Sequence, residues 1–171
     1  AREVISMYSP NKPYPVWCHD CWFSDNWDPM SFAKEYDPSR PFLEQFNELW
    51  SRIPKIALFY IRSVNSEYSN ISGDNKDSYM IVESSNNENC LYAYWLQRCT
   101  DCVDSSFSVS TTLSYESDDC YDSYQLRYSK GCHDCRDGAF LLNCRNTSDS
   151  VGCVNLRSAQ YCILNKKYTK K

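Results

Sequence analysis

The chain has 171 residues and a formal net charge of −4, and its composition is that of a folded domain. Leu, Ile, Val and Phe together make up only about a fifth of the chain, but 14 Tyr, 5 Trp and 11 Cys raise the hydrophobic fraction to 42%. No run approaches the roughly 18 apolar residues of a membrane span, and basic residues cluster only at 166–171. The sequence therefore predicts a folded chain with no membrane span and no nucleic-acid surface.

Residues 1–62 predict a small α/β segment. The apolar run at residues 4–8 indicates a strand, and the prolines after it predict an extended loop. Pro41 suits the first turn of a helix, and apolar residues at helical spacing follow it. We therefore expect an amphipathic helix over residues 41–53 and a buried strand over residues 56–61.

The second half of the chain repeats a short unit. Asp followed by Ser or Gly, and then by a strand-like run, occurs five times, beginning at residues 77, 104, 122, 137 and 149. Nine of the Cys lie in this half, and every Cys position in the chain is a multiple of three. Short strands entered through small polar corners bury a continuous narrow core when they are stacked as coils. Cys suits such a core because it is small and commonly buried.

These patterns predict a mainly β fold. We expect a Cys-lined parallel β-solenoid over residues 63–171, with residues 1–62 as a small N-terminal α/β cap segment. The repeat spacing indicates coils of about 15 to 20 residues, with Cys102 and Cys120 in adjacent coils and Cys144 and Cys162 likewise. An irregular antiparallel sheet is the alternative, because the repeat length drifts.

A solenoid exposes unpaired backbone at its ends and therefore needs a cap or a partner. The predicted helix, with Phe42, Phe46 and Trp50, can serve as the cap at the N-terminal end. Only a Lys-rich tail follows the last predicted strand at residues 161–164. We therefore expect a protein that works inside an assembly, through self-association or a protein partner.

Motifs spread along the chain resemble those of a known family. They are Val4-Ile5-Ser6-Met7-Tyr8-Ser9-Pro10, Ser24-Asp25-Asn26-Trp27-Asp28-Pro29, Asp37-Pro38-Ser39-Arg40-Pro41, Gly152-Cys153-Val154-Asn155 and Tyr161-Cys162-Ile163-Leu164-Asn165. The chain resembles a family of environmental microbial proteins, with no assigned activity, that join a zinc-finger-like Cys segment to a Cys-rich repeat region. The resemblance implies a zinc-binding role for Cys18 and Cys21. It also implies that further Cys precede the first strand in a longer protein.

Three Cys pairs have the spacing with which two thiolates can hold one tetrahedral ion. They are Cys18/Cys21, Cys99/Cys102 and Cys132/Cys135. Cys18 and Cys21 are the candidate zinc ligands, although one pair supplies only half of a site. The other two pairs follow the repeat and are predicted to be buried structural thiols. The odd number of Cys, without the framework of a small secreted domain, favours a reducing compartment.

The sequence offers no set of residues for catalysis. Both of its His residues, His19 and His133, lie inside Cys pairs. Tyr121, Tyr124 and Tyr128 lie close together in one repeat and are predicted to form a binding surface that stacks on sugars, on another protein or on a second copy. The favoured function is a non-enzymatic structural or binding module. A zinc-binding protein and a carbohydrate-active β-solenoid are the alternatives.

Overall fold

The computed structural model describes residues 3–66 and 68–170, and the chain divides into two compact units, residues 1–59 and 60–171. The fold is mainly β, with 39% strand and 11% helix. The first unit contains β1 (Val16–Trp17), α1 (His19–Trp22), a 3-10 helix (Pro29–Phe32), α2 (Phe42–Arg52) and β2 (Lys55–Ile56). Strands β1 and β2 pair in parallel, with Val16 opposite Lys55.

Helix α2 forms where it is predicted, but its apolar stripe is largely exposed. Phe42 and Phe46 are 62% and 52% exposed, and their rings stack with centroids 6.1 Å apart. The buried side chain of α2 is Gln45, which donates to the carbonyls of Asp37 and Arg40 and accepts from the Asp37 N–H. A polar side chain therefore anchors α2, because it satisfies backbone groups of the preceding loop.

Two strand predictions in the first half are wrong. Residues 4–8 form no strand, and a backbone hydrogen bond from the Met7 N–H to the Ala57 carbonyl ties them to the rest of the unit. The single strand expected over residues 56–61 is split between β2 and a strand of the second unit, β3 (Tyr60–Ile61). An apolar run does not become a strand unless a neighbouring strand satisfies its backbone.

The second unit is the predicted parallel β-solenoid, with about nine turns. After β3 its strands are β4 (Ser72–Gly73), β5 (Tyr79–Val82), β6 (Leu91–Gln97), β7 (Thr100–Val103), β8 (Ser106–Val109), β9 (Thr112–Tyr115), β10 (Tyr124–Arg127), β11 (Arg136–Ala139), β12 (Arg145–Val151), β13 (Arg157–Gln160), β14 (Cys162–Ile163) and β15 (Lys166–Lys167). All pair in parallel except β14 and β15, which form a closing antiparallel pair.

The coils are shorter than the sequence predicts. Tyr124 pairs with Arg136, and Arg136 pairs in turn with Ser148, so a residue lies over the one twelve positions away. The prediction of coils of about 15 to 20 residues is therefore wrong. Cys102 lies beside Ser114 rather than in line with Cys120. Cys144 and Cys162 do not stack either, because one and a half coils separate them.

A three-residue rule builds every coil. One residue in three has a left-handed backbone with φ near +50°, the next is buried, and the third pairs with the neighbouring coils. Four such turns close each coil. Asn and Asp occupy many of the left-handed positions, which suits their tolerance of this conformation. In the Asp-Ser unit, Asp is thus the corner and Ser is the interior residue.

The buried positions hold mainly Ser, Cys, Thr and Asn because their backbone N–H groups need acceptors. The side chain one coil earlier accepts them: Ser78 accepts from the Cys90 N–H at 3.2 Å, and Ser84 accepts from the Leu96 N–H at 3.1 Å. The hydroxyls and thiols themselves donate to nearby carbonyls, as Cys99 does to Ser108. Small polar side chains therefore satisfy groups that a purely apolar interior would leave unpaired.

Large interior residues do not stack on one another. The fully buried ones are Ile81, Leu96, Leu126 and Leu141, and the partly buried Leu156 packs against the cluster that contains the last two. Because no two of them in succession are separated by a multiple of twelve, successive members lie on different sides of the coil. Gly138 makes room between two of them, since a Cβ there would lie 2.5 Å from Leu141 Cδ1 and 3.3 Å from Leu126 Cδ2. The interior thus alternates large and small residues around the coil axis.

Candidate functional surface

One side of the solenoid is predominantly apolar along its whole length. We call it the apolar side. Its positions are Tyr68, Tyr79, Met80, Leu91, Tyr92, Val103, Asp104, Tyr115, Glu116, Arg127, Tyr128, Ala139, Phe140, Val151, Gly152, Ile163 and Leu164. With coils about 4.8 Å apart, it is roughly 40 Å long. A continuous exposed apolar surface of this kind is typical of an interaction site.

Aromatic rings contact one another along the apolar side. Tyr68, Tyr79 and Tyr92 form one ladder, with edge-to-face contacts at 5.4 and 5.7 Å between centroids. A second ladder joins Tyr115 to Tyr128 at 5.5 Å, and Tyr128 to Phe140 at 5.0 Å. These contacts hold large rings in fixed positions although Tyr92 and Phe140 are 57% and 58% exposed. Ordered rings lose little conformational entropy when a partner covers them.

Charge changes sign along the solenoid. Residues 60–126 include eleven acidic and three basic residues, whereas residues 127–171 include nine basic and three acidic residues. On the described part of the apolar side, the charged residues are Asp104, Glu116 and Arg127, all near its middle. The Tyr115 hydroxyl bonds to Glu116, which raises the pKa of Tyr115. The solenoid thus has an acidic half and a basic half.

The three tyrosines predicted to form one binding surface lie on three different sides. Residues three apart occupy consecutive sides of a coil, so Tyr121 and Tyr124 cannot face the same direction. Tyr128 belongs to the apolar side, and Tyr121 contacts His133 on another, with centroids 4.8 Å apart. The apolar side is not evident in the sequence, because its members are recognised only when residues are compared at intervals of twelve.

Cys18 and Cys21 lie at a cavity of the first unit. The cavity has a volume of about 370 Å³ and is lined by Val4, Val16, Trp17, Cys18, Cys21, Ser24, Asn26 and Trp27. Within residues 3–66 and 68–170, no three His, Cys, Asp or Glu side chains are grouped so as to hold a metal ion. A closed structural zinc site needs four ligands, so the donors present around this pair do not fit one.

The nine solenoid cysteines are buried thiols without disulfides, at most 3% exposed. Hydrogen bonding with Cys90 and Cys99, together with burial, raises the pKa of Cys102, and hydrogen bonding with Cys102 lowers the pKa of Cys99 to about 7. Hydrogen bonding with Cys120 and burial raise the pKa of Cys132 to about 12. No substrate can reach these sulfur atoms, so their role is to fill the interior.

The fold defines a class of protein, the parallel β-solenoid, here with four-sided coils. None of the helices in the described ranges has the length and apolar character needed to cross a bilayer. The chain matches no protein-family model and no curated protein.

Two solved structures show a limited similarity to the chain. One is the UDP-N-acetylglucosamine O-acyltransferase LpxA of Moraxella catarrhalis RH4, with 10% identity, a TM-score of 0.25, and coverage of 54% of this chain and 62% of that one. The other is a Bacillus cereus protein provisionally assigned as an acetyltransferase, with 8% identity, a TM-score of 0.20, and coverage of 62% and 76%. Neither similarity is strong enough to carry an activity over to this chain.

Proposed function

We propose that this protein is a non-enzymatic binding module that acts as a dimer, in which the apolar sides of two copies pack against each other. The observation that carries this proposal is the apolar side, on which each coil that the structure describes presents at least one apolar side chain. Covering these side chains removes apolar area from water, which is the main favourable term in protein association. A second copy offers a surface of the same length and repeat.

The charge distribution supports an antiparallel arrangement. Two solenoids side by side in the same direction would bring acidic coils onto acidic coils. Reversing one of them places the acidic residues of 60–126 beside the basic residues of 127–171. Opposite charges across an interface favour the correct encounter and disfavour the wrong one. The reversed arrangement is compatible with the twofold symmetry that most dimers adopt.

The charged residues of the apolar side define the register of this dimer. We place the coil of Tyr115 and Glu116 on the twofold axis. The preceding coil of one copy then faces the following coil of the other. The coil of Asp104 in one copy then faces the coil of Arg127 in the other, where the long Arg127 side chain can reach Asp104 diagonally, and the symmetry repeats the contact. Tyr128, which belongs to the second aromatic ladder of one copy, then packs against the coil of Val103 in the other copy. The two Glu116 side chains meet on the twofold axis, so the interface has apolar arms and a centre that holds two Asp–Arg contacts beside one like-charged pair.

Light scattering on the intact protein tests this proposal. The wild-type protein should have a mass of twice the chain mass of 20.0 kDa. Tyr128→Lys and Phe140→Lys place an unpaired charge in the interface and should each weaken the dimer by at least about tenfold. Thr112→Lys adds the same charge on another side and is the matched control. A strict monomer at all accessible concentrations would refute the proposal, and so would a dimer unaffected by both apolar-side variants.

A further inference from the structure

A polar groove lies on the solenoid away from the apolar side. Its volume is about 330 Å³, and it is lined by Asp119, Gly131, His133, Asn143, Arg145, Asn155 and Arg157. These residues belong to two neighbouring columns, in each of which successive members are twelve positions apart. One column contains Asp119, Gly131, Asn143 and Asn155, and the other contains His133, Arg145 and Arg157. The groove therefore runs along the solenoid, across consecutive coils.

Cations are stacked directly on one another in this groove. Arg145 pairs with Arg157 in the parallel sheet, and His133 is bridged to Arg145. Like charges at directly opposite positions destabilise a sheet. In the ranges 3–66 and 68–170, neither arginine forms an ion pair with a carboxylate. Within these ranges no direct ion pair offsets the repulsion between the two arginines.

Two other cations of the solenoid, Arg62 and Lys130, show the contrast. Arg62 forms an ion pair with Asp74, one coil later, with 2.7 Å between Nε and Oδ1. Lys130 forms one with Asp118, one coil earlier, with 2.9 Å between Nζ and Oδ2. At those positions the neighbouring coil supplies the opposite charge. Between Arg145 and Arg157 the neighbouring coil supplies the same charge, so this column is open to an external anion.

The second column adds hydrogen-bonding groups and open space. Gly131 has φ +63°, and a Cβ there would lie 2.5 Å from Asn143 Oδ1, so no side chain fills this part of the groove. Asn143 and Asn155 are exposed and offer amides that both donate and accept. Tyr121, whose ring contacts His133, extends the cationic column by one coil with an aromatic face.

We infer that this groove binds an acidic polysaccharide, a chain of sugars that carry carboxylates. The guanidinium groups of Arg145 and Arg157 match carboxylates in charge and in their two-pronged geometry. The amides of Asn143 and Asn155 match sugar hydroxyls. A linear ligand can follow the columns because the coils repeat its binding groups at regular intervals of about 4.8 Å.

Acidic residues beside the groove distinguish this ligand from a nucleic acid. Asp119 lines the groove, and Asp122 and Asp134 directly follow Tyr121 and His133 in the chain. They can accept hydrogen bonds from sugar hydroxyls, and they repel duplex DNA, with one phosphate charge per about 1.7 Å of axis, more strongly than a chain with one carboxylate per sugar.

Titration calorimetry with an oligogalacturonate as the probe tests the inference on the intact protein. Arg157→Gln should weaken binding roughly tenfold, and Arg145→Gln/Arg157→Gln should weaken it further, since each charged hydrogen-bonding group is lost. Arg136→Gln is the matched control, because Arg136 lies on another side between Tyr124 and Ser148 and loses the same charge. Its affinity should stay within about twofold of the wild-type value. A neutral dextran oligosaccharide should not bind.

Thermal unfolding separates binding from folding. Because Arg157→Gln removes repulsion between stacked cations, the variant should melt at or above the wild-type temperature. The inference is overturned if the wild-type protein does not bind oligogalacturonate, if the double variant binds it as tightly as the control, or if poly(U) RNA binds more tightly. Since the groove and the apolar side are different sides, these results do not depend on whether the chain dimerises.

Discussion

The two units of this protein are specified in different ways. In the first unit each contact is particular to its place: Gln45 anchors α2, and Trp17 contacts Trp27 edge to face at 5.1 Å. In the solenoid a single rule, a left-handed residue followed by a small buried one, is repeated along the chain. The regular unit consequently presents straight columns of exposed residues. Its surfaces are defined by residues twelve apart, whereas those of the first unit are defined by local motifs.

Deletions should show this difference most strongly. Removing Ser110 shifts all later residues by one position, so Tyr115, Asp118 and Tyr121 would occupy the buried positions. Because a narrow interior cannot hold them, we expect a loss of more than about 5 kcal/mol and no cooperative unfolding of the solenoid. Removing residues 106–117 takes out one whole coil and keeps the register. This variant should fold, with only neighbouring contacts changed.

A matched deletion in the first unit sharpens the comparison. Glu35 lies in an exposed irregular segment, and its removal should cost no more than about 1 kcal/mol. Circular dichroism and denaturant unfolding would measure all three deletions. If the Ser110 and Glu35 deletions had equal costs, the three-residue rule would be wrong.

The sequence predicts this rule only in part. The Asp-Ser units and the Cys positions indicate a period of three and a small-residue interior, and both are observed. The coil length is not encoded in them, because every three-residue side looks alike and the number of sides is set by closure of the coil. The large interior residues, such as Leu126 and Leu141, recur at a longer interval than the coil and point to the wrong length.

The candidate surfaces can be recognised only when the coil length of twelve residues is known. Without the true coil length, Tyr128 cannot be grouped with Phe140, nor Arg145 with Arg157, and neighbouring tyrosines in the chain are grouped instead. The sequence also could not predict that Phe42 on α2 is exposed. An amphipathic stripe indicates a helix but does not show which residues cover its apolar face.

Alkaline pH should weaken the solenoid through its buried thiols. Burial and hydrogen bonding raise the pKa of Cys132 to about 12, whereas an unfolded thiol ionises near pH 8.5. Between about pH 8.5 and 12 the unfolded state therefore binds fewer protons, and this thiol lowers the free energy of unfolding by about 1.4 kcal/mol per pH unit. Urea unfolding at several pH values measures the slope.

Cys132→Ser should remove that contribution while keeping stability at pH 7 within about 1 kcal/mol, because Ser fills equivalent interior positions such as 108 and 123. Ser105→Ala, at a buried solenoid position that carries no thiol, is the control and should keep the wild-type slope. An unchanged slope in Cys132→Ser would contradict the assignment.

The smallest expected effect concerns the corners. Ile71 has φ +49°, which is unfavourable for a β-branched residue, and it is 50% exposed. Ile71→Asn should therefore stabilise the solenoid by about 1 kcal/mol. Asn86→Ile, at a corner with φ +58°, should destabilise it by a similar amount. Denaturant midpoints measure both, and shifts of the same sign would show that corner conformation does not control stability.

A charge exchange at the centre of the apolar side tests the proposed dimer most directly. Asp104→Arg and Arg127→Asp should each weaken the dimer, because each leaves two like-charged contacts across the twofold axis. The double variant Asp104→Arg/Arg127→Asp restores opposite charges and should recover most of the lost affinity. Sedimentation equilibrium of the four proteins measures the dissociation constants. Recovery in the double variant is the result that the antiparallel dimer predicts, and additive weakening would contradict it.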